Sequence, residues 1–205
     1  MQTYKVLSLE KAAFRGGSMK SIFKLLIGSL MIATALIGYI PEPELFVEFS
    51  CISNLAGGLL LIIDGILNLK GKAAPNVLYL NVCSGILLVF LVSMLSLTGA
   101  FKINLKGAFF FLHAINPIVF ILCYIFFCND KIQNIWKRLA VTPVFLLAYL
   151  LFDYILGNCR GYFVYGFSTP EQLSIGIAVI TGIITYLIMS LFGFCIFSLN
   201  KLVHK

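Results

Sequence analysis

A chain whose apolar runs are each long enough for one helix to cross a bilayer has few folds open to it. Six such runs can be laid end to end here, at about residues 22–40, 48–68, 75–98, 107–128, 138–157 and 173–199. Each is close to the roughly 20 residues that a spanning helix needs. Hydrophobic residues make up 60% of the sequence and charged ones only 11%, far from the balance of a water-soluble domain. The expectation is an all-α polytopic membrane protein of six transmembrane helices. A basic arm, 1–21, would precede the membrane domain, 22–199, and a short tail, 200–205, would follow it. So little sequence joins the runs that no soluble catalytic or nucleotide-binding domain fits between them.

The net charge of +7 would suggest nucleic acid in a soluble protein, but here it follows topology. With six spans, Lys5, Lys11, Arg15, Lys20, Lys24, Lys70, Lys72, Lys131, Lys137, Arg138, Lys201 and Lys205 share one side. Only Lys102, Lys106 and Arg160 face the other. Both termini are therefore expected in the cytoplasm, in a membrane of the bacterial inner type, with the bilayer as partner and no nucleic acid. The first loop carries Glu42, Glu44 and Glu48 with no cation, which agrees with an outer position. The triplet Ala33-Thr34-Ala35 resembles a signal-cleavage site, but its apolar run continues to Ile40.

No cofactor or metal is expected. The six cysteines form no CxxC pair, His204 belongs to the tail, and no spaced ligand set surrounds His113. Attention falls instead on Ser50, Asn54, His113 and Asp153. They sit on three different runs, yet alternating helices bring them to a similar depth near the outer face. Ionisable groups at such a depth are costly and usually functional. Pro117, four residues after His113, removes the amide that would bond the His113 carbonyl, so a kink is expected there, with Asn116 as one candidate to satisfy that carbonyl.

A hydroxyl becomes a useful nucleophile when a base takes its proton, and neutral imidazole is the usual base near neutral pH. Ser50 with His113 fits that pairing. Asp153 could orient the ring and Asn54 could donate to a developing oxyanion. Plainer readings stand beside these: a membrane-helix serine often bonds its own backbone, and Asp153 can pair with Arg160 at the interface. Asp64, about 21 Å deeper than Ser50 at helical rise, is expected to snorkel towards Lys70 or Lys72. The long loop 158–172 is aromatic and should fold back into the interface.

Three pieces of the sequence resemble the androgen-induced protein family of six-helix membrane proteins and its bacterial relatives. Phe49-Ser50-Cys51-Ile52-Ser53-Asn54 is similar to that family's Phe-Thr-x-x-Ser-Asn segment, and His113-Ala114-Ile115-Asn116-Pro117 to its His-x-x-x-Pro. Pro143 and then Phe163-Val164-Tyr165-Gly166-Phe167 resemble a proline-containing fifth helix and a Tyr-Pro-Tyr-Pro-Phe loop, with Val164 and Gly166 where the family has proline. Characterised animal members are threonine hydrolases of fatty acid esters of hydroxy fatty acids. The resemblance therefore implies a fatty acyl ester substrate, Ser50 as nucleophile and His113 as general base. Phe109, Phe110, Phe111, Tyr162 and Tyr165 become candidate lining residues. A non-catalytic carrier or lipid-binding protein using the same polar layer is the alternative.

Overall fold

The computed structural model describes residues 2–98, 105–128, 134–165 and 173–205. Lys102 and Lys131 of the charge pattern, and Gly166 and Phe167 of the loop motif, lie outside the described residues. The helices are α1 (Gln2–Tyr39), α2 (Phe49–Leu69), α3 (Asn76–Ser96), α4 (Ala108–Phe127), α5 (Ile135–Val141), α6 (Val144–Arg160) and α7 (Ile175–Val203). Among the described residues there is no strand. Six stretches are long and apolar enough to cross a membrane: α2, α3, α4, α7, the Met19–Tyr39 part of α1, and Leu139–Arg160 across α5 and α6. The six-helix reading of the sequence thus holds, with ends shifted by a few residues. The arm 1–21 is helical from Gln2 onwards and continuous with the first span, while α7 runs to Val203 and absorbs most of the tail.

Prolines set the interruptions. Pro41 disfavours helix in the residue before it, and α1 ends at Tyr39. Pro143 separates α5 from α6, and side chains of α3 patch the backbone there. The Phe145 amide donates to Asn81 Oδ1 and the Ser84 hydroxyl donates to the Thr142 carbonyl, both at 3.4 Å. Such repair is what lets a broken helix persist away from water.

Close packing of α1 on α2 rests on two glycines. A Cβ added to Gly28 would lie 2.6 Å from the Gly58 carbonyl oxygen, and one on Gly58 would lie 2.8 Å from that of Gly28. The two backbones therefore touch, the arrangement that small residues permit between membrane helices. Met31, Leu61, Ile86 and Phe120 fill the middle of the bundle and are almost wholly buried. At one end, α7 caps the carbonyls that finish α4: Asn200 Nδ2 donates to that of Tyr124, which also accepts from the Cys128 amide, and to those of Ile125 and Cys128.

That same end holds a buried ion pair. Asp64 accepts from Lys24 Nζ at 2.5 Å, Tyr79 Oη at 2.6 Å, Asn68 Nδ2 at 2.7 Å and the Ala74 amide at 2.7 Å. The expected partners Lys70 and Lys72 are thus corrected to Lys24: Asp64 sits on the face of α2 turned to α1 and α3, whereas both loop lysines are exposed. One carboxylate ties three helices and the loop between two of them. Removing one member of a buried pair leaves the other charge uncompensated, at a cost of about 3–5 kcal/mol. Lys24→Met should therefore lower unfolding stability in detergent by that amount, and adding Asp64→Leu should restore part of the loss; a Lys24→Met protein that unfolds like wild type would contradict this assignment.

Candidate functional site

The opposite end of the bundle is organised by Pro117. The Asn116 amide bonds the carbonyl of Phe111, five residues back, so that Phe111–Ile115 is a π-helical turn. In that register the next amide in line would serve Leu112, but residue 117 is a proline and has none. The sequence points to the His113 carbonyl as a group left open; in the π register the Leu112 carbonyl also has no amide in line. Asn54 of α2 supplies the missing donor. Its Nδ2 bonds the Leu112 carbonyl at 3.0 Å and the Ser50 carbonyl at 2.8 Å. Asn116 Nδ2 in turn donates to Asn54 Oδ1 and to Thr34 Oγ1 of α1, each at 2.9 Å.

Ser50, Asn54, His113 and Asn116 are therefore brought into one buried layer, where Asn54 spans between α2 and α4. Asn54 serves the backbone, and Asn116 serves Asn54 and Thr34, which is a framework role. His113 Nδ1 lies 2.9 Å from the Phe109 carbonyl. A carbonyl only accepts, so Nδ1 carries the proton of the neutral ring and Nε2 is its basic nitrogen. The imidazole also stacks on Phe109, whose ring packs edge-on against Tyr39.

The Ser50 hydroxyl has other partners. Its Oγ is 2.7 Å from Tyr39 Oη and 3.1 Å from Glu48 Oε2, and Tyr39 Oη is 2.7 Å from the same carboxylate oxygen. Local structure explains the triangle: Tyr39 closes α1, a 3₁₀ turn spans Pro43–Val47, and Glu48 is the residue from which α2 starts. Among the described residues His113 is not a hydrogen-bond partner of Ser50; its ring nitrogen Nδ1 is turned to the Phe109 carbonyl instead.

Asp153 accepts the Val164 amide at 3.0 Å. The expected pair with Arg160 is not formed; the carboxylate is taken up by the backbone of the loop. Asp153 instead fastens the loop after α6, and Phe163 seats against Gly157, where any Cβ would overlap the ring. The described part of the loop, which ends at Tyr165, brings that residue to Ser50, whose amide donates to Tyr165 Oη at 3.4 Å. Burial pushes the Tyr165 phenol up to about 12, so it remains a neutral hydroxyl at ordinary pH. Tyr162 lines a cavity of about 80 Å³ beside this loop, with Glu44, Leu45, Val47, Leu156, Arg160 and Val164. Phe110 faces outward and packs on Phe111.

Three contributors are not singled out by the sequence: Tyr39, Glu48 and Tyr149. Glu48 reads there as an acidic loop residue, although its place two positions before Ser50, at a helix start, could have marked it. Tyr149 precedes Asp153 by one helical turn and shares its face. It is 6% exposed, its ring lies 4.8 Å from that of Phe49, and its hydroxyl has no hydrogen-bond partner among the described residues. A buried hydroxyl left open in this way is costly unless something else occupies its donor.

No family model, curated protein or solved structure matches this chain.

The framework makes its own test. Asn54→Leu strands the Leu112 carbonyl and one end of Asn116, and each buried group left unpaired costs about 1–3 kcal/mol. Chemical or thermal unfolding in detergent should show a loss in that range or above; stability equal to wild type would mean that the Leu112 carbonyl finds another donor.

Proposed function

We propose that this chain is an intramembrane hydrolase that cleaves a fatty acyl ester, with Ser50 as its nucleophile. The observation that carries the reading is where the Ser50 hydroxyl points. Ser53, Ser84, Ser93, Ser96 and Ser198 each donate to a carbonyl three or four residues back in their own helix, as membrane-helix serines commonly do. Ser50 is turned instead into a cluster of ionisable side chains while being only 4% exposed. A buried hydroxyl directed at a proton acceptor is the arrangement that nucleophilic catalysis requires.

His113 is the base that the likeness to the androgen-induced protein family assigns. Its place in the same layer, with Nε2 as the basic nitrogen, supports a part for it in proton transfer. The apolar helices around the layer favour a substrate with acyl chains, with membrane lipid or a fatty acyl ester as the molecule met there. Ser50, a base and water suffice for the reaction, without a cofactor. The distribution of cations supports both termini in the cytoplasm of a bacterial-type cell membrane and the Ser50 layer towards the outer face. The open Tyr149 hydroxyl suits a bound carbonyl whether or not it is cleaved, and this favours a lipid-binding or carrier protein as the second reading.

A lipid-like fluorophosphonate applied to the purified protein in detergent should label the wild type and leave Ser50→Ala unlabelled. Labelling that survives Ser50→Ala removes Ser50 as nucleophile. A folded wild type that binds a fatty acyl ester but neither reacts with the probe nor hydrolyses the ester moves the assignment to the carrier.

A further inference from the structure

The triangle of Tyr39, Glu48 and Ser50 holds more chemistry than the pairing of serine with histidine. It has three oxygen–oxygen contacts, 2.7, 2.7 and 3.1 Å, and the two hydroxyls bring two protons to them. If Tyr39 donates to Ser50, then Ser50 donates to Glu48. If Ser50 donates to Tyr39, then Tyr39 donates to Glu48. Both chains end on the same atom, Glu48 Oε2, because an ionised carboxylate only accepts. No hydrogen bond joins the His113 ring to the serine among the described residues, whereas Glu48 is bonded to it directly.

We propose that Glu48 is the catalytic base that takes the Ser50 proton, directly or through the Tyr39 hydroxyl. This rests on the reading of Ser50 as nucleophile. In the first half-reaction Ser50 Oγ bonds the ester carbonyl carbon while its proton passes to Glu48 Oε2. Collapse of the adduct breaks the bond to the alkoxy oxygen, which takes the proton from Glu48 and leaves as an alcohol. Water then loses a proton to Glu48 as it bonds the acyl carbon, and the Ser50–acyl bond breaks, with Ser50 Oγ recovering the proton and the acid departing. A general base is worth about 10²–10⁴-fold in such steps. The groups bonded to the carboxylate are Tyr39 from α1 and Ser50 from α2.

Glu48 makes no side-chain cap bond at the start of α2, so its neutral analogue keeps that helix end intact. The test is the rate of fluorophosphonate labelling in wild type, Glu48→Gln, Glu48→Ala and His113→Ala, each checked for a cooperative unfolding transition. Glu48→Gln should label at least about 10²-fold more slowly than wild type, and His113→Ala should lose less. Added formate should restore part of the Glu48→Ala rate, which a merely structural role would not allow. Should either Glu48 variant misfold, Glu48→Asp, which keeps a carboxylate, should remain labelled at a reduced rate. Glu48→Gln labelling at the wild-type rate beside an unlabelled His113→Ala would overturn the role of Glu48 while leaving Ser50 as nucleophile. An unlabelled, folded wild type would remove both.

Discussion

A backbone carbonyl inside a bilayer has to be paired by the protein itself, and this molecule is arranged around the one that Pro117 leaves open. Asn54 crosses from α2 to reach Leu112, and in doing so it fixes the height of α2 against α4. The same amide holds the Ser50 carbonyl, so the first turn of α2 cannot slide without exposing a polar group on the neighbouring helix. Asn116 and Thr34 extend the tie to α1. The position of the Ser50 hydroxyl thus follows from backbone pairing.

Polar groups gather towards the two ends of the bundle and apolar ones fill its middle. Lys24, Asp64 and Tyr79 form one cluster, and Tyr39, Glu48 and Ser50 belong to the other, with Met31, Leu61 and Phe120 among the buried side chains of the apolar core. The bonds of the first cluster hold helices and a loop in place. In the second, a hydroxyl that could have turned to its own backbone meets a carboxylate, and the Tyr149 hydroxyl beside it is left open. That contrast is the observation from which the proposed chemistry at Ser50 is argued.

Much of this was legible in the sequence, because length and apolarity of a run are enough to specify a spanning helix. The joint depth of Ser50, Asn54 and His113 follows from counting residues along alternating helices, and Asn54 bridging α2 to α4 agrees with it. What the sequence does not disclose is rotation and register. Asp64 turns towards Lys24 of the preceding helix because α1 packs on that face through Gly28 and Gly58, and no local spacing announces it. The π turn leaves the Leu112 carbonyl without an amide in line, a register effect that depends on an extra residue per turn. Glu48 and Tyr39 meet only because the 3₁₀ turn after Pro41 folds one helix end onto the next helix start.

The most direct measurement is intact-protein mass spectrometry after rapid quenching of the detergent-solubilised protein with an activated fatty acyl ester such as a p-nitrophenyl ester. The expected result is a gain of one acyl group that peptide mapping places on Ser50 and that decays as free fatty acid appears. Turnover of the ester with no acyl adduct in wild type, or an adduct that maps elsewhere and persists in Ser50→Ala, would contradict the assignment of Ser50 as an intramembrane nucleophile.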